Sequence, residues 1–227
     1  MSGETPQSSQ PEILKYVPAA LRTEIAQRLH IVRAPKGRTL LEKGSRSSQV
    51  FFLLHGRAQV RLYSSSGREV YVNDIGPGDV CGEMAALDGD SRSATIVTSS
   101  EVILKSMRGS DFMKCLESSP AAGIWLARKL ASRSRRLIEQ VFELSALNVR
   151  ARIHCELLRL ARGGELRNGG IEVRPAPTHA ELASRIGTHR EAVTREMQVL
   201  AESNIIRHGR RRLLIVDLAR LEREAQR

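Results

Sequence analysis

The sequence predicts an α+β protein built as a β-sandwich or barrel, then a long helix, then a helix-turn-helix with a basic tip. Three observations predict it. Residues 31–107 run as short alternating apolar stretches punctuated by glycine, the pattern of many short strands. Residues 120–147 have no internal proline, no glycine after Gly123, and apolar side chains spaced alternately by four and three. Residues 178–200 hold two capping-box sequences on either side of Gly187.

Length and composition bound the rest. The chain has 227 residues, enough for one large domain or two small ones, and its 41% hydrophobic content supports a packed core. No apolar run approaches the roughly 20 residues that span a bilayer. The opening MSGETPQSSQP is polar and lacks a secretory pattern, so residues 1–10 are expected to form a disordered tail. Cys81, Cys115 and Cys155 are scattered, which speaks against a disulfide scaffold or a cysteine-held metal cluster. The expectation is a reduced cytoplasmic protein with no metal and no membrane association.

Net charge is +11, and it is unevenly distributed. Residues 148–227 carry sixteen arginines and no lysine against ten acids. Such a surplus suits a polyanion partner or, equally, a solvated basic surface.

Along the chain, 12–30 has helical spacing broken by Pro18. Candidate strands are 39–42, 50–54, 57–63, 69–75 and 94–106, with turns near Lys36-Gly37, His55-Gly56, Ser66-Gly67 and Gly76-Pro77-Gly78. A helix is expected from Asp111 to Glu117. In the long helix, Leu130, Ser134, Leu137, Val141, Leu144 and Asn148 form a coiled-coil seam, read either as a dimer contact or as packing on the chain's own β-domain. Asn148 marks a cap or break, and a further helix is expected over 149–162. A loop to Pro177 follows, with a short apolar stretch at 171–173. The expected domains are 11–119, 120–147 and 148–227.

The stretch Gly82–Ala94, GEMAALDGDSRSA, carries the chemistry of the first domain. A glycine and an acid precede a short apolar turn (Met84, Ala85), and Arg92, Ser93 and Ala94 follow ten positions on. Free backbone N–H groups at a helix start can face a phosphate, and a guanidinium supplies a forked cationic partner. Glu83 can accept a hydrogen bond from a ribose hydroxyl. A cyclic sugar-phosphate would satisfy all of these groups, whereas a buried Glu83–Arg92 pair would make them structural.

In the last domain, Thr178-x-x-Glu181 opens one short helix and Thr188-x-x-Glu191 is expected to open a second. The second helix turns Ala192, Val193, Met197 and Leu200 inward and presents Arg190, Glu191 and Arg195 outward. Those positions reach base edges when such a helix enters the major groove. Glu191 has a competing role in closing its own capping box. Thr188 and His189 are placed to meet phosphates, as is Arg211 in the tip Arg207–Arg212 ahead of the strand-like Leu213–Val216, and Thr178 and His179 are expected among the DNA-binding residues. Neither a metal-ligand cluster nor a nucleophile beside a base is present, so no catalytic residue and no enzyme activity are expected.

From Pro11 onward the chain resembles the cyclic AMP receptor protein family of bacterial transcription regulators. Gly37, Gly44, Gly56, Gly67 and Gly78 look like its β-roll punctuation. Gly82, Glu83, Arg92, Ser93 and Ala94 match its phosphate cassette, and Arg190, Glu191 and Arg195 match its recognition-helix triplet. The resemblance implies a cyclic-nucleotide-binding β-roll (a double-stranded jelly roll), a long dimerisation helix and a C-terminal winged helix-turn-helix. It implies a homodimer that binds double-stranded DNA at a TGTGA-like two-fold operator and contacts RNA polymerase. Ligand binding would reposition the recognition helices; the alternative is a β-roll that is nucleotide-independent. Cyclic AMP is the first expected ligand and cyclic GMP the second. The family pattern is broken where adjacent Thr and Ser would meet the purine: Leu137 and Ile138 stand there, with Arg133 and Ser134 one turn earlier as substitutes. The cassette loop is also one residue shorter, and the 163–174 loop differs in sequence.

Overall fold

The structure, a computed structural model, describes residues 10–65, 67, 69–167 and 169–225. Residues 1–9 of the expected tail and Ser66 of the expected turn lie outside the described residues. The chain divides between Ser134 and Arg135 into two compact units.

Proline punctuates the start of the first unit. A short 3-10 helix spans Glu12–Tyr16, and Pro18 then caps α1 (Ala19–Arg28), so the predicted break is present. The strands are β1 (His30–Ala34), β2 (Thr39–Leu41), β3 (Val50–His55), β4 (Ala58–Tyr63), β5 (Glu69–Ile75), β6 (Val80–Cys81), β7 (Thr95–Thr98) and β8 (Val102–Met107). They form two antiparallel four-stranded sheets, ordered β1-β8-β3-β6 and β2-β7-β4-β5. Helices α2 (Glu83–Asp88) and α3 (Gly109–Ser118) follow β6 and β8, and α4 (Pro120–Ala146) begins in this unit.

Strand periodicity explains how one sheet serves two cores. On β3, Leu53 joins Leu41, Ile96 and Leu104 in the core fed by both sheets. Val50 and Phe52, on its other face, pack with Ile13, Ile25, Phe112 and Trp125 in a second, helix-covered core. Strand β8 behaves alike, Leu104 entering the first core and Met107 the second.

The predicted single strand over 94–106 is two strands that belong to different sheets. Ser99 and Ser100 N–H groups both bond the Arg57 carbonyl, so the polar Ser99–Glu101 step carries the chain from one sheet to the other. Gly56 permits this corner, because a Cβ there would lie 2.0 Å from the Glu101 carbonyl oxygen. Two strands absent from the sequence reading, β1 and β6, complete the first sheet.

The second unit contains the C-terminal part of α4, then α5 (Val149–Ala161), β9 (Glu165–Arg167), β10 (Gly170–Val173), α6 (His179–Arg185), α7 (Arg190–Glu202), β11 (Ile206–Gly209), β12 (Arg212–Ile215) and α8 (Leu218–Ala225). The predicted loop over 163–177 thus contains a hairpin, whose strands extend the sheet ordered β11-β12-β10-β9. Asn148 does cap: its side chain accepts from the Ala151 N–H at 2.9 Å and starts α5. Leu157, Val193, Leu200, Ile206 and Leu221 are buried together at the centre of this unit.

Phe112 is fully buried beside Phe52 and shares its core with Trp125, the only tryptophan in the chain. Phe112→Ala is expected to destabilise the first unit by about 3–5 kcal/mol. Denaturant titration followed by Trp125 fluorescence measures the loss.

Candidate ligand cassette and nucleic-acid interface

The cassette is built around a buried guanidinium. Gly82 caps α2 at φ +83°, a left-handed conformation that aims its carbonyl at Arg92. Arg92 is only 3% exposed and donates to the Gly82 carbonyl at 2.7 Å, the Gln49 carbonyl at 2.7 Å and Ser47 Oγ at 3.1 Å. Three of its five N–H groups are thereby used, one from each nitrogen. Burial pulls its pKa below the usual guanidinium value, against the opposing effects of Cys81 and Glu83.

Glu83 is buried as well, yet it does not pair with Arg92. Its Oε1 accepts from Arg133 Nη1 at 2.6 Å, and Arg133 Nη2 donates to the Val80 carbonyl. Arg133, expected beside a purine, is held by a carboxylate in this structure. Ala85 is buried on α2, Met84 is exposed, and Ser93 Oγ lies 3.8 Å from Met84 Sδ; Ala94 is half-buried just before β7. Burial, then the Glu83 charge, pushes the Cys81 thiol up to about 12, so it is an inert member of the core. Ser134 is exposed, and one turn later Leu137 and Ile138 are exposed at 44% and 66%.

The reading head is positioned by one cap and one turn. Thr178 Oγ1 accepts from the Glu181 N–H at 3.2 Å, while the Thr178 N–H donates to Glu181 Oε2 at 2.6 Å, closing the predicted box. Gly187 turns the chain at φ +63°. The second predicted box is not formed. The Thr188 N–H bonds back to the Ala183 carbonyl at 2.9 Å, which pulls Thr188 out of the cap position. His189 becomes the N-cap with no side-chain bond, so α7 starts one residue late and Glu191 has no cap to close.

Val193, Met197 and Leu200 of α7 are buried, and Arg190, Glu191 and Arg195 are exposed. The far side of α7 is fixed by Glu196, which accepts from Arg150 Nε at 3.1 Å and lies 2.7 Å from Nε2 of the fully buried His154. Behind α6, the β11–β12 hairpin turns at Arg211, which has φ +57° and lies 3.7 Å from Glu181.

The two halves match separate family models. The cyclic nucleotide-binding domain matches residues 31–119, and the Crp-like helix-turn-helix domain matches residues 151–224. The chain is 29% identical over 203 residues to the CRP-like cAMP-activated global transcriptional regulator of Mycobacterium tuberculosis, covering 89% of this chain and 91% of that one. It is 29% identical to the cyclic AMP receptor protein of Thermus thermophilus, covering 83% and 84%. A solved CRP-family transcriptional regulator, also from Thermus thermophilus, superposes with TM-score 0.72 at 28% identity, covering 86% of this chain and 97% of that chain. Both halves of the chain and these relatives point to the cyclic AMP receptor protein family.

The two domain matches support a DNA-binding transcription regulator with a cyclic nucleotide-binding domain. The structure joins Gly82 to Arg92 and Glu83 to Arg133 in the first unit; in the second it places Thr178, His179, Thr188, His189, Arg190, Glu191 and Arg195 on or beside α6 and α7, and Arg211 at the hairpin turn. Among the described residues no group of His, Cys, Asp and Glu could hold a metal ion, and no helix is long and apolar enough to cross a membrane. Sequence reasoning missed Gln49, whose backbone carbonyl holds Arg92 and leaves no residue signature, and Ser47, whose hydroxyl reaches Arg92 from 45 residues away. It also missed His154 and Glu196, which look like ordinary positions on two separate helices.

Gly82 is the most constrained position of the cassette. A Cβ there would stand 2.7 Å from both Arg92 Nη1 and the Gln49 carbonyl oxygen. Gly82→Ala is expected to destabilise the first unit by about 1–3 kcal/mol through backbone strain and to displace Arg92. Thermal unfolding measures the first effect, and cyclic nucleotide affinity at a permissive temperature measures the second.

Proposed function

We propose that the protein is a cytoplasmic homodimer that recognises a TGTGA-like two-fold operator when a cyclic nucleotide occupies the β-roll. The observation that carries the ligand half is the buried Arg92. Three protein oxygens fix its plane, and two N–H groups are left to grip a phosphate. Glu83 faces the same α2 turn, and a ribose hydroxyl there would compete with Arg133 for its carboxylate. Exchange of partners at Arg133 would pass ligand occupancy to α4, which carries that residue.

Dimerisation is supported by the second half of α4. Leu137, Val141 and Leu144 are exposed at 44%, 63% and 52% along the predicted seam, with Ile138 and Phe142 beside them. A stripe of this kind on a long helix is stabilised by a matching helix. Two-fold pairing would place two α7 helices for half-sites about one DNA turn apart. Arginine at positions 190 and 195 suits guanine, and Glu191, free of a cap, suits the cytosine amine. Cyclic AMP, the ligand in the names of the two relatives compared above, is the first candidate, cyclic GMP the second, and RNA polymerase is the further partner.

Calorimetry with cyclic AMP and cyclic GMP side by side tests the ligand, and gel shifts on a two-fold TGTGA duplex with and without each nucleotide test the switch. The expected result is tighter DNA binding with at least one nucleotide, abolished by Arg92→Ala while the fold is kept. A ligand at a hundred times its Kd should also stabilise the first unit by about 2.7 kcal/mol. Equal DNA affinity with and without both nucleotides would refute the switch.

A further inference from the structure

The second unit contains a concavity of about 460 Å³ between the start of α6 and the β11–β12 hairpin. Leu182, Met197 and Leu213 lie at its apolar part, and His179, His208 and the tip arginines supply its charge. The two imidazoles stand edge to face, 6.1 Å apart. Among these cationic groups, only the histidines change charge near neutral pH.

The hydrogen-bond chain supports an assignment of the open His179 nitrogen. We assign the single Thr194 Oγ1 proton to the Arg190 carbonyl, 3.0 Å away, which leaves Oγ1 to accept from His179 Nδ1 at 2.9 Å. His179 therefore carries a proton on Nδ1, and neutral Nε2 presents a lone pair. Nε2 has no hydrogen-bond partner among the described residues. A lone pair repels a phosphate oxygen; a protonated Nε2 donates to it.

We propose that this concavity seats a DNA backbone phosphodiester against His179 and His208, and that seating it requires uptake of a proton at His179 Nε2. The inference rests on the DNA-binding reading and adds proton linkage to it. The groups surrounding His179 support the direction. From α7 comes Arg190, from β11 His208, and from the hairpin tip Arg210, Arg211 and Arg212; the carboxylate of Glu181 on α6 is engaged by Arg211. Burial first, then His208 and Arg190, holds the His179 pKa below the ordinary histidine value in the free protein. A phosphate anion opposes all three effects, so the pKa rises on binding. A group whose pKa rises on binding makes affinity grow as pH falls through the bound value and level off below the free one.

The test is fluorescence anisotropy of the full chain on a random-sequence DNA duplex, with saturating cyclic AMP and constant ionic strength, between about pH 6 and pH 8. A random sequence isolates phosphate contacts, which are blind to sequence. The expected result is affinity rising toward low pH by up to about tenfold per unit for each proton taken up. Calorimetry in two buffers of different ionisation enthalpy counts that uptake directly. His179→Gln should flatten the profile at the weak, high-pH level, and His179→Arg should flatten it at the tight level. His208→Gln, checked for folding by circular dichroism, should reduce the slope without moving the nucleotide affinity. A flat wild-type profile with DNA binding intact overturns the proton linkage alone, as does a slope that survives His179→Gln. Failure to bind the duplex at any pH overturns the DNA-binding reading together with it.

Discussion

Strands β3 and β8 send apolar side chains into a core on each face, and the first unit is arranged to satisfy that constraint. An antiparallel sheet usually shows one face to water. Here one face meets the second sheet and the other needs a separate cover, which the N-terminal 3-10 helix, α1, α3 and the start of α4 provide. The consequence reaches the ligand cassette. Strand β6 pairs with β3 through Phe51 and Phe52, and α2 leaves directly from its end. The cassette is thus attached, through β6, to a strand that feeds both cores, with Gln49, immediately before β3, holding the other side of Arg92.

Several buried charges in this protein are paired within their own unit. Arg92 is matched by backbone carbonyls and a hydroxyl, and Glu83 by an arginine 50 residues further along the chain. In the second unit, Glu156 takes both Arg159 and Arg185, and Glu172 takes Arg212. Desolvating such groups is costly unless every one finds a partner. In each of these pairings both partners lie within one unit. Under the proposed function a ligand would act by exchanging partners, which needs only a small difference in free energy between two arrangements.

The sequence made the larger architecture legible because it depends on period and punctuation. Gly82 and Gly187 sit at the positive φ values their turns demand, and Pro18 and Asn148 start helices where expected. The misreadings have a common physical source, which is competition between a local motif and a longer-range bond. Thr188 has the residue spacing of a capping box, but its N–H is claimed by Ala183. The 94–106 run has continuous strand composition, but Arg57 draws in its serines and splits it between sheets. The Glu83–Arg133 bond is a further long-range contact that helical spacing does not reveal. Partners brought together only by the folded topology leave no trace in spacing.

The asymmetric distribution of basic residues has a chemical consequence of its own. All six lysines, from Lys15 to Lys129, precede the boundary after Ser134, and the second unit carries only arginine and histidine. Amine-directed chemistry is therefore unit-selective in this chain: acetylation, an ester dye or coupling to an activated surface modifies side chains in the sensor half alone. The DNA-reading half keeps its full guanidinium charge under any such treatment, so the protein can be immobilised or labelled through one unit with the side chains of the other left native.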